Sequence, residues 1–269
     1  MTATRPAKDH ARLLGGYVAA YIVFLYLPVV LIPLFSFNDS IQAAFPLKGF
    51  TLKWYGTLVE NEAIASALGN SLGIALASAA IATLCGITIA YLDIHGSTRF
   101  SALVSGLSRL PILIPGVIVG IALLILVNLI GLGPSRIAIV MGHVLVCLPT
   151  TVVIMRGRFT AIPRSIAEVA SDLGARDFLV FRRAVLPLAW PAVGAAFMLS
   201  FLTSFDEFIV AFFLAGTEPT LPLYIWSQLR FPKSLPVVMA LGTLILVVSV
   251  VLVAIAEILR RRQPSLPGT

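Results

Sequence analysis

A polar stretch separates two apolar segments of the chain and reads Pro163-Arg-Ser-Ile-Ala-Glu-Val-Ala-Ser-Asp-Leu-Gly-Ala-Arg-Asp-Phe-Leu-Val-Phe-Arg-Arg-Ala-Val-Leu-Pro187. Pro163 suits the first position of a helix, where its missing N–H costs nothing. Apolar residues then recur at helical spacing on one face, at Ile166, Val169, Ala170 and Leu173. Gly174 most easily takes the left-handed conformation that ends a helix. The stretch predicts a short helix, a turn and a second short helix that Pro187 closes.

Two interpretations fit this helix-turn-helix segment. It is a knob that fits into a groove of another protein, or an amphipathic helix that lies on the inner membrane face without a partner.

The spacing of the segment favours the first interpretation. Glu168-x-Ala170-x3-Gly174, with Leu186-Pro187 further on, resembles the EAA motif of ABC importer permeases. Two positions depart from the motif, since Val169 replaces an alanine and Ala184 stands where isoleucine is usual. The resemblance implies a cytoplasmic coupling segment over 163–187 that docks into a separate ATPase subunit. Its coupling residues would be Glu168, Ala170, Asp172, Gly174, Leu186 and Pro187.

Composition indicates a membrane protein. The 269 residues are 59% hydrophobic and 12% charged, with a mean hydropathy of +1.00. Soluble domains carry about 25% charged residues. The net charge of +7 does not indicate nucleic-acid binding, because the arginines cluster at the ends of apolar runs. Cys85 and Cys147 fall in separate apolar segments and are interpreted as packing residues.

Six apolar segments are long enough to span a bilayer. The predicted spans are 13–37, 64–92, 110–130, 137–155, 188–214 and 236–256. We expect them to form a single transmembrane domain over 13–260, with polar tails at 1–12 and 261–269. No cleavable signal peptide is expected, because the first apolar run is too long and no small-residue cleavage site follows it.

The distribution of positive charge predicts the orientation. Six spans place both termini on one side, and all but five of the 19 lysines and arginines lie in the tails and loops of that side. Cytoplasmic loops carry the excess of lysine and arginine. Both termini and the 163–187 segment are therefore expected to be cytoplasmic.

The chain lacks the motifs of several enzyme classes. It contains no P-loop, no His-Glu-x-x-His and no cysteine pair at metal-ligand spacing, so no ATP hydrolysis, metal or cofactor is expected of it. An intramembrane enzyme would need a facing nucleophile and base, and none stands out. His143, inside the fourth span, is interpreted either as a hydrogen-bonded contact between helices or as a pathway residue.

Two adjacent acids, Asp206 and Glu207, mark a candidate substrate pathway in the fifth span. An acidic residue near mid-membrane costs roughly 2.5–3.5 kcal/mol on insertion scales. Ser200, Thr203, Ser204 and Glu207 share a helix face, with Asp206 at its edge. This stripe either faces a cavity, or its acids lie near the outer interface. Tyr224 and Trp226, in a predicted short outer helix, are interfacial anchors or face a cation.

A second resemblance covers about residues 12 to 260. The run Ser200-Phe-Leu-Thr-Ser-Phe-Asp-Glu-Phe-Ile-Val210, with Leu221-Pro222 and Arg230, resembles the polyamine branch of type I ABC permeases, the second of two permease subunits. Asn70-Ser71-Leu72 and Ala90-Tyr91 resemble the common core of that superfamily. The resemblance implies an all-α subunit with six transmembrane helices and a coupling helix, in the bacterial cytoplasmic (inner) membrane.

This resemblance also implies partners and a substrate. The partners would be a second permease subunit, two ATPase subunits and an extracytoplasmic substrate-binding protein. The substrate would be spermidine or putrescine, or another small amine, opine or amino-acid-like solute. The competing class is a stand-alone secondary transporter or channel. Secondary transporters commonly contain inverted repeats, and no internal repeat is apparent here.

Overall fold

The computed structural model describes residues 7–96 and 99–261, with side chains over 13–96 and 99–251. Residues 1–6 and 262–269 of the predicted tails lie outside the described residues. Within the described ranges all regular structure is helical, apart from an isolated bridge between Asn38 and Phe50. The all-α prediction is therefore confirmed.

In this part of the chain, five helical segments are long and apolar enough to cross a membrane. They are α1 (Ala7–Ser36), α3 (Glu62–His95), α6 (Arg136–Ala161), a segment Asp177–Asp206 that ends in α9 (Leu186–Asp206), and α12 (Leu235–Arg261). The helices α4 (Arg99–Arg109) and α5 (Gly116–Leu129) make a sixth span if they are counted together. The shorter helices are α2 (Lys53–Val59), α7 (Arg164–Asp172), α8 (Asp177–Val180), α10 (Ile209–Leu214) and α11 (Leu221–Gln228).

The third predicted span, 110–130, is not one continuous helix. The chain bends by 114° between Leu113 and Gly116. Pro115 accounts for the bend, because a proline pushes the preceding residue into extended geometry, and Ile114 has φ −98° and ψ 128°. The remaining helix α5 has 14 residues. At 1.5 Å per residue it is about 21 Å long, shorter than a hydrocarbon core of about 30 Å.

The second short helix of the 163–187 segment also differs from the prediction. It does not end at Pro187, because α8 continues through a π-helical turn, Phe181–Val185, directly into α9. Pro187 lies in the first turn of α9, a position at which proline is tolerated in a helix. The turn before it is π-helical and therefore wider than an α-helical turn. The predicted fifth span, 188–214, is instead interrupted after Asp206, and α10 begins at Ile209.

The described residues group into two compact units, one up to Glu62 together with those from Ile225 onward, and one over Ala63–Tyr224. In the first unit, α1 and α2 pack against α12. In the second, glycines allow close packing, because a side chain at Gly120 or Gly142 would overlap Phe213 or Val210. Two apolar cores result. One joins α3, α5, α6 and α10, and the other joins α3 and α6 to the segment Asp177–Asp206.

Candidate coupling segment and substrate pathway

Helix α7 ends in the turn that the sequence predicts, but it begins one residue later than predicted, at Arg164. Pro163 immediately precedes the helix, with φ −58° and ψ 130°. Gly174 has φ +84°, in the left-handed region. The N–H of Gly174 donates to the carbonyl of Ser171 at 2.8 Å, and that of Ala175 donates to Ala170 at 3.1 Å. These two bonds form a Schellman motif, which satisfies the last carbonyls of the helix.

The two faces of α7 have different environments. Ile166, Ala167 and Ala170 pack against the core that includes Phe159, Val180 and Val185. Val169 and Leu173, which the sequence places on the same apolar face, point away and are 58% and 83% exposed. Glu168 and Asp172 are exposed as well. One face of α7 is thus anchored, and the other presents apolar and acidic side chains together.

An aromatic cluster ties the π-helical turn to the ends of α3 and α6. The ring of Tyr91 lies 4.5 Å from that of Phe181 and 5.8 Å from that of Phe159, and it stacks on His95 at 4.2 Å. Of the remaining predicted coupling residues, Leu186 is half-buried and Pro187 is exposed. The segment is therefore connected to the membrane helices by packed side chains.

An ion cluster lies close to this aromatic cluster, and sequence reasoning missed it. Asp93, at the end of α3, accepts a hydrogen bond from Arg109 at 3.1 Å and forms an ion pair with Arg156, also at 3.1 Å. Its carboxylate is only 13% exposed. Arg109 also donates to Ser105 Oγ at 2.6 Å. Asp93 is the first charged residue after a long apolar run, and this signal was available in the sequence.

The Ser/Thr/acid stripe of the fifth span divides between two environments. Ser204 and Ser200 are buried against α6. Ser204 Oγ lies 2.8 Å from His143 Nδ1, and the thiol of Cys147 donates to the carbonyl of Ser200 at 3.4 Å. The interpretation of His143 as a contact between helices is therefore confirmed. Thr203, in contrast, is exposed.

The acids themselves lie at the break between α9 and α10. Asp206 is the last residue of α9 and is exposed. Glu207 is half-buried, and its Oε1 accepts the N–H of Val210 at 3.1 Å. Glu207 thus satisfies a backbone donor in the first turn of α10, a role that the sequence did not reveal.

The predicted short helix after this break is observed as α11. Its first N–H, from Leu221, donates to Ser71 Oγ at 2.7 Å, and Asn70 Nδ2 donates to the carbonyl of Pro219 at 3.2 Å. Tyr224 is half-buried. The guanidinium of Arg230 lies over the Trp226 ring, 4.1 Å from its centroid, so the chain itself supplies a cation to this ring.

The long apolar helices and their interruptions indicate a multi-span membrane protein. Its apolar helices are bent at Pro115 and interrupted at Asp206 and Glu207. Non-helical backbone at membrane depth is tolerated where it lines a cavity or is buried in protein. Residues 82–263 match the family of binding-protein-dependent transport system inner membrane components, and the chain belongs to this family.

Named relatives agree with this membership. The chain is 36% identical over 248 residues to the spermidine/putrescine transport system permease protein PotC of Escherichia coli (strain K12), covering 92% of this chain and 93% of that protein. It is 33% identical over 235 residues to the putrescine transport system permease protein PotI of the same strain, covering 83% of this chain and 82% of that protein.

A solved structure supports the fold alone. A bacterial alginate ABC transporter, in complex with alginate pentasaccharide-bound periplasmic protein, superposes with a TM-score of 0.73 at 18% identity, covering 96% of this chain and 98% of that chain. The predictions of fold class and of an ABC importer permease subunit are confirmed. The relatives are named as transport system permease proteins.

Proposed function

We propose that this chain, with a second permease subunit, forms the membrane pathway of an ATP-driven importer for a small cationic amine, spermidine or putrescine. The observation that carries the proposal is the interruption of an apolar span at Asp206 and Glu207. Interrupted helices in transporters commonly border substrate or ion sites. The relatives named for spermidine/putrescine and putrescine transport support an amine substrate.

The electrostatics of the break favour a cation. The C-terminal end of a helix carries a partial negative charge of about −0.5, and α9 ends at Asp206. Asp206 makes no ion pair with the described residues, so its carboxylate is available. Glu207 keeps acceptor capacity beyond its bond to Val210, because a carboxylate has two oxygens. Two carboxylates at this break would offset the free energy that a cationic amine loses when it is dehydrated. They would bind the amine only transiently, so that it can leave again.

The same helical segment connects the pathway to the proposed coupling site. Asp177–Asp206 has 30 residues, about 45 Å at 1.5 Å per residue. The turn at Gly174 joins α7 to one end of this segment, and the acids lie at the other. We propose that an ATPase subunit docks on the exposed face of α7, at Glu168, Val169, Asp172 and Leu173. ATP-driven movement of α7 would then displace α9 and open the pathway by alternating access.

The remaining partners follow from this arrangement. The importer would contain two ATPase subunits that hydrolyse ATP, and an extracytoplasmic binding protein that delivers the amine. Both termini and α7 would face the cytoplasm, because cytoplasmic loops carry the excess of lysine and arginine.

Cysteine labelling tests this orientation. In a Cys85→Ala background, we expect Ala44→Cys and Thr217→Cys to react with an impermeant thiol reagent in intact cells, and Ser165→Cys to remain unlabelled. All three positions are exposed, so accessibility differs only by side. Cys147 is buried and serves as an internal unreactive control. Labelling of Ser165→Cys from outside would contradict both the proposed orientation and the proposed docking of an ATPase subunit on α7.

Competition for uptake tests the substrate class. In cells that depend on this system, unlabelled spermidine should suppress uptake of labelled putrescine about tenfold or more. Its concentration must lie well above the Kd of the binding protein for spermidine. A neutral amino acid at the same concentration should leave uptake unchanged, since it offers two separated cations neither to the binding protein nor to Asp206 and Glu207. Equal suppression by the neutral amino acid would contradict the polyamine assignment.

A further inference from the structure

A partly enclosed cavity of about 290 Å³ lies where the ends of α3 and α6 meet the first turn of α7. Two of its polar lining residues, Arg156 and Arg164, are permanently cationic, and one, Asp93, is anionic. The residues that matter here are Asp93, His95, Arg156, Thr160, Arg164 and Ala167. At roughly 30 Å³ of liquid volume per water, the space is about ten water molecules in size. It is large enough to admit a tetrahedral anion with its attached group.

The charges around this cavity do not balance. Arg109 donates a hydrogen bond to Oδ2 of Asp93 at 3.1 Å, and Arg156 forms an ion pair with the same oxygen, also at 3.1 Å. The two guanidiniums therefore share one carboxylate and repel each other. Arg164 adds a third cation at the cavity wall and has no hydrogen-bond or ion-pair partner among the described residues. An anion in the cavity would neutralise this excess.

The donors that reach the cavity suit a phosphate group. Arg156 contacts Asp93 through its Nε. The other N–H donors of its guanidinium lie in a plane whose geometry matches that of phosphate oxygens. The helix α7 has nine residues and begins without a side-chain cap. The backbone N–H groups of its first turn therefore have no side-chain acceptor. This turn lies at the cavity, because Pro163 and Arg164 both line it, and the N-terminus of a helix favours anions.

We propose that this cavity binds a phosphate-bearing anion, supplied either by the headgroup of an anionic lipid or by free phosphate. Bound there, the anion would join the ends of α3 and α6 to α7 through Arg156 and Arg164. This cavity is separate from the break at Asp206. A negative result for anion binding would therefore not count against the proposed transport function. The two sources share one chemistry, and the experiment distinguishes them.

The test measures the thermal unfolding midpoint of the full chain in its purified complex. One arm compares phosphatidylcholine vesicles with and without phosphatidylglycerol. The other arm adds inorganic phosphate to phosphatidylcholine vesicles, with chloride at equal ionic strength as reference. A ligand that binds only the folded state raises the midpoint according to its concentration over Kd. We expect one arm to raise the midpoint of the unmodified complex, and that arm identifies the source.

Variants at two arginines locate the effect. Arg164→Gln removes one charge-assisted contact and should weaken the anion about tenfold or more, with a correspondingly smaller midpoint shift. Arg164→Lys keeps the charge and should retain most of the shift. Arg176→Gln is the matched control, because Arg176 is exposed, lies just after the same helix and does not line the cavity. Its shift should equal that of the unmodified complex.

Two results would overturn the proposal. The first is an unchanged midpoint in both arms. The second is an equal loss of the shift in Arg164→Gln and Arg176→Gln, which would indicate diffuse attraction of anions to a basic surface and no binding in the cavity.

Discussion

Replacing Gly174 with valine should reduce ATP-driven uptake about tenfold or more. Gly174 has φ +84°, and this left-handed conformation costs an L-residue roughly 1–2 kcal/mol, and a β-branched residue more. No heavy atom beyond the adjacent residues lies within 4 Å of the position where its Cβ would be, so the cost comes from the local backbone conformation and not from packing against the rest of the chain. The strained turn would misorient α7 relative to the helical segment that leads to Asp206. Uptake and binding-protein-stimulated ATP hydrolysis should fall together.

Asparagine at the same position provides the control. Asparagine tolerates the left-handed conformation better than other non-glycine residues, so Gly174→Asn should retain most of the activity. Both variants must assemble at normal levels for the comparison. Normal uptake and normal stimulation by Gly174→Val would exclude this turn from coupling.

Neutralising the acids at the helical break should produce the second large effect. We expect Asp206→Asn and Glu207→Gln each to lower amine uptake about tenfold, since a charge-assisted contact is worth about 1.5–3 kcal/mol. The glutamine amide oxygen can still accept the N–H of Val210, so α10 keeps its first turn. The affinity of the binding protein for the amine, measured by calorimetry, should not change, because that site lies on another chain.

The structural alternative makes the opposite prediction. If the acids only support the fold, their neutral isosteres should be silent or mildly stabilising, because a partly desolvated charge is removed. Glu60→Gln, the loss of an exposed acid far along the chain from the break, should leave uptake unchanged. Near-normal uptake by the Asp206→Asn/Glu207→Gln double variant would contradict the cation pathway and weaken the polyamine assignment.

The sequence predicts best where local chemistry alone determines the backbone. The left-handed Gly174 and the short helix before it are local features, and both are observed. Proline is a weaker guide, because α1 continues through Pro28 and Pro33 and α9 through Pro191. At Pro115, in contrast, the chain bends by 114°. Which proline ends a helix depends on whether neighbouring helices satisfy the freed backbone groups, and this cannot be read locally.

Long-range pairing accounts for most of what sequence reasoning missed. Asp93 and Arg156 are far apart in the chain, and nothing local predicts their contact. Helical periodicity placed Ser200 and Ser204 on one face, as observed, but it did not reveal that this face meets His143 and Cys147 of α6. The break after Asp206 contains neither proline nor glycine, so it has no marker in the sequence.

Reconstituted uptake tests the central claim most directly. Proteoliposomes would contain the complete complex, with its binding protein on one side and ATP on the other, and labelled spermidine would be added with the binding protein. We predict accumulation that requires both ATP hydrolysis and the binding protein, and that Gly174→Val nearly abolishes. Accumulation that persists without ATP would instead indicate a stand-alone carrier or channel, and would contradict the assignment of this chain to an ATP-driven importer.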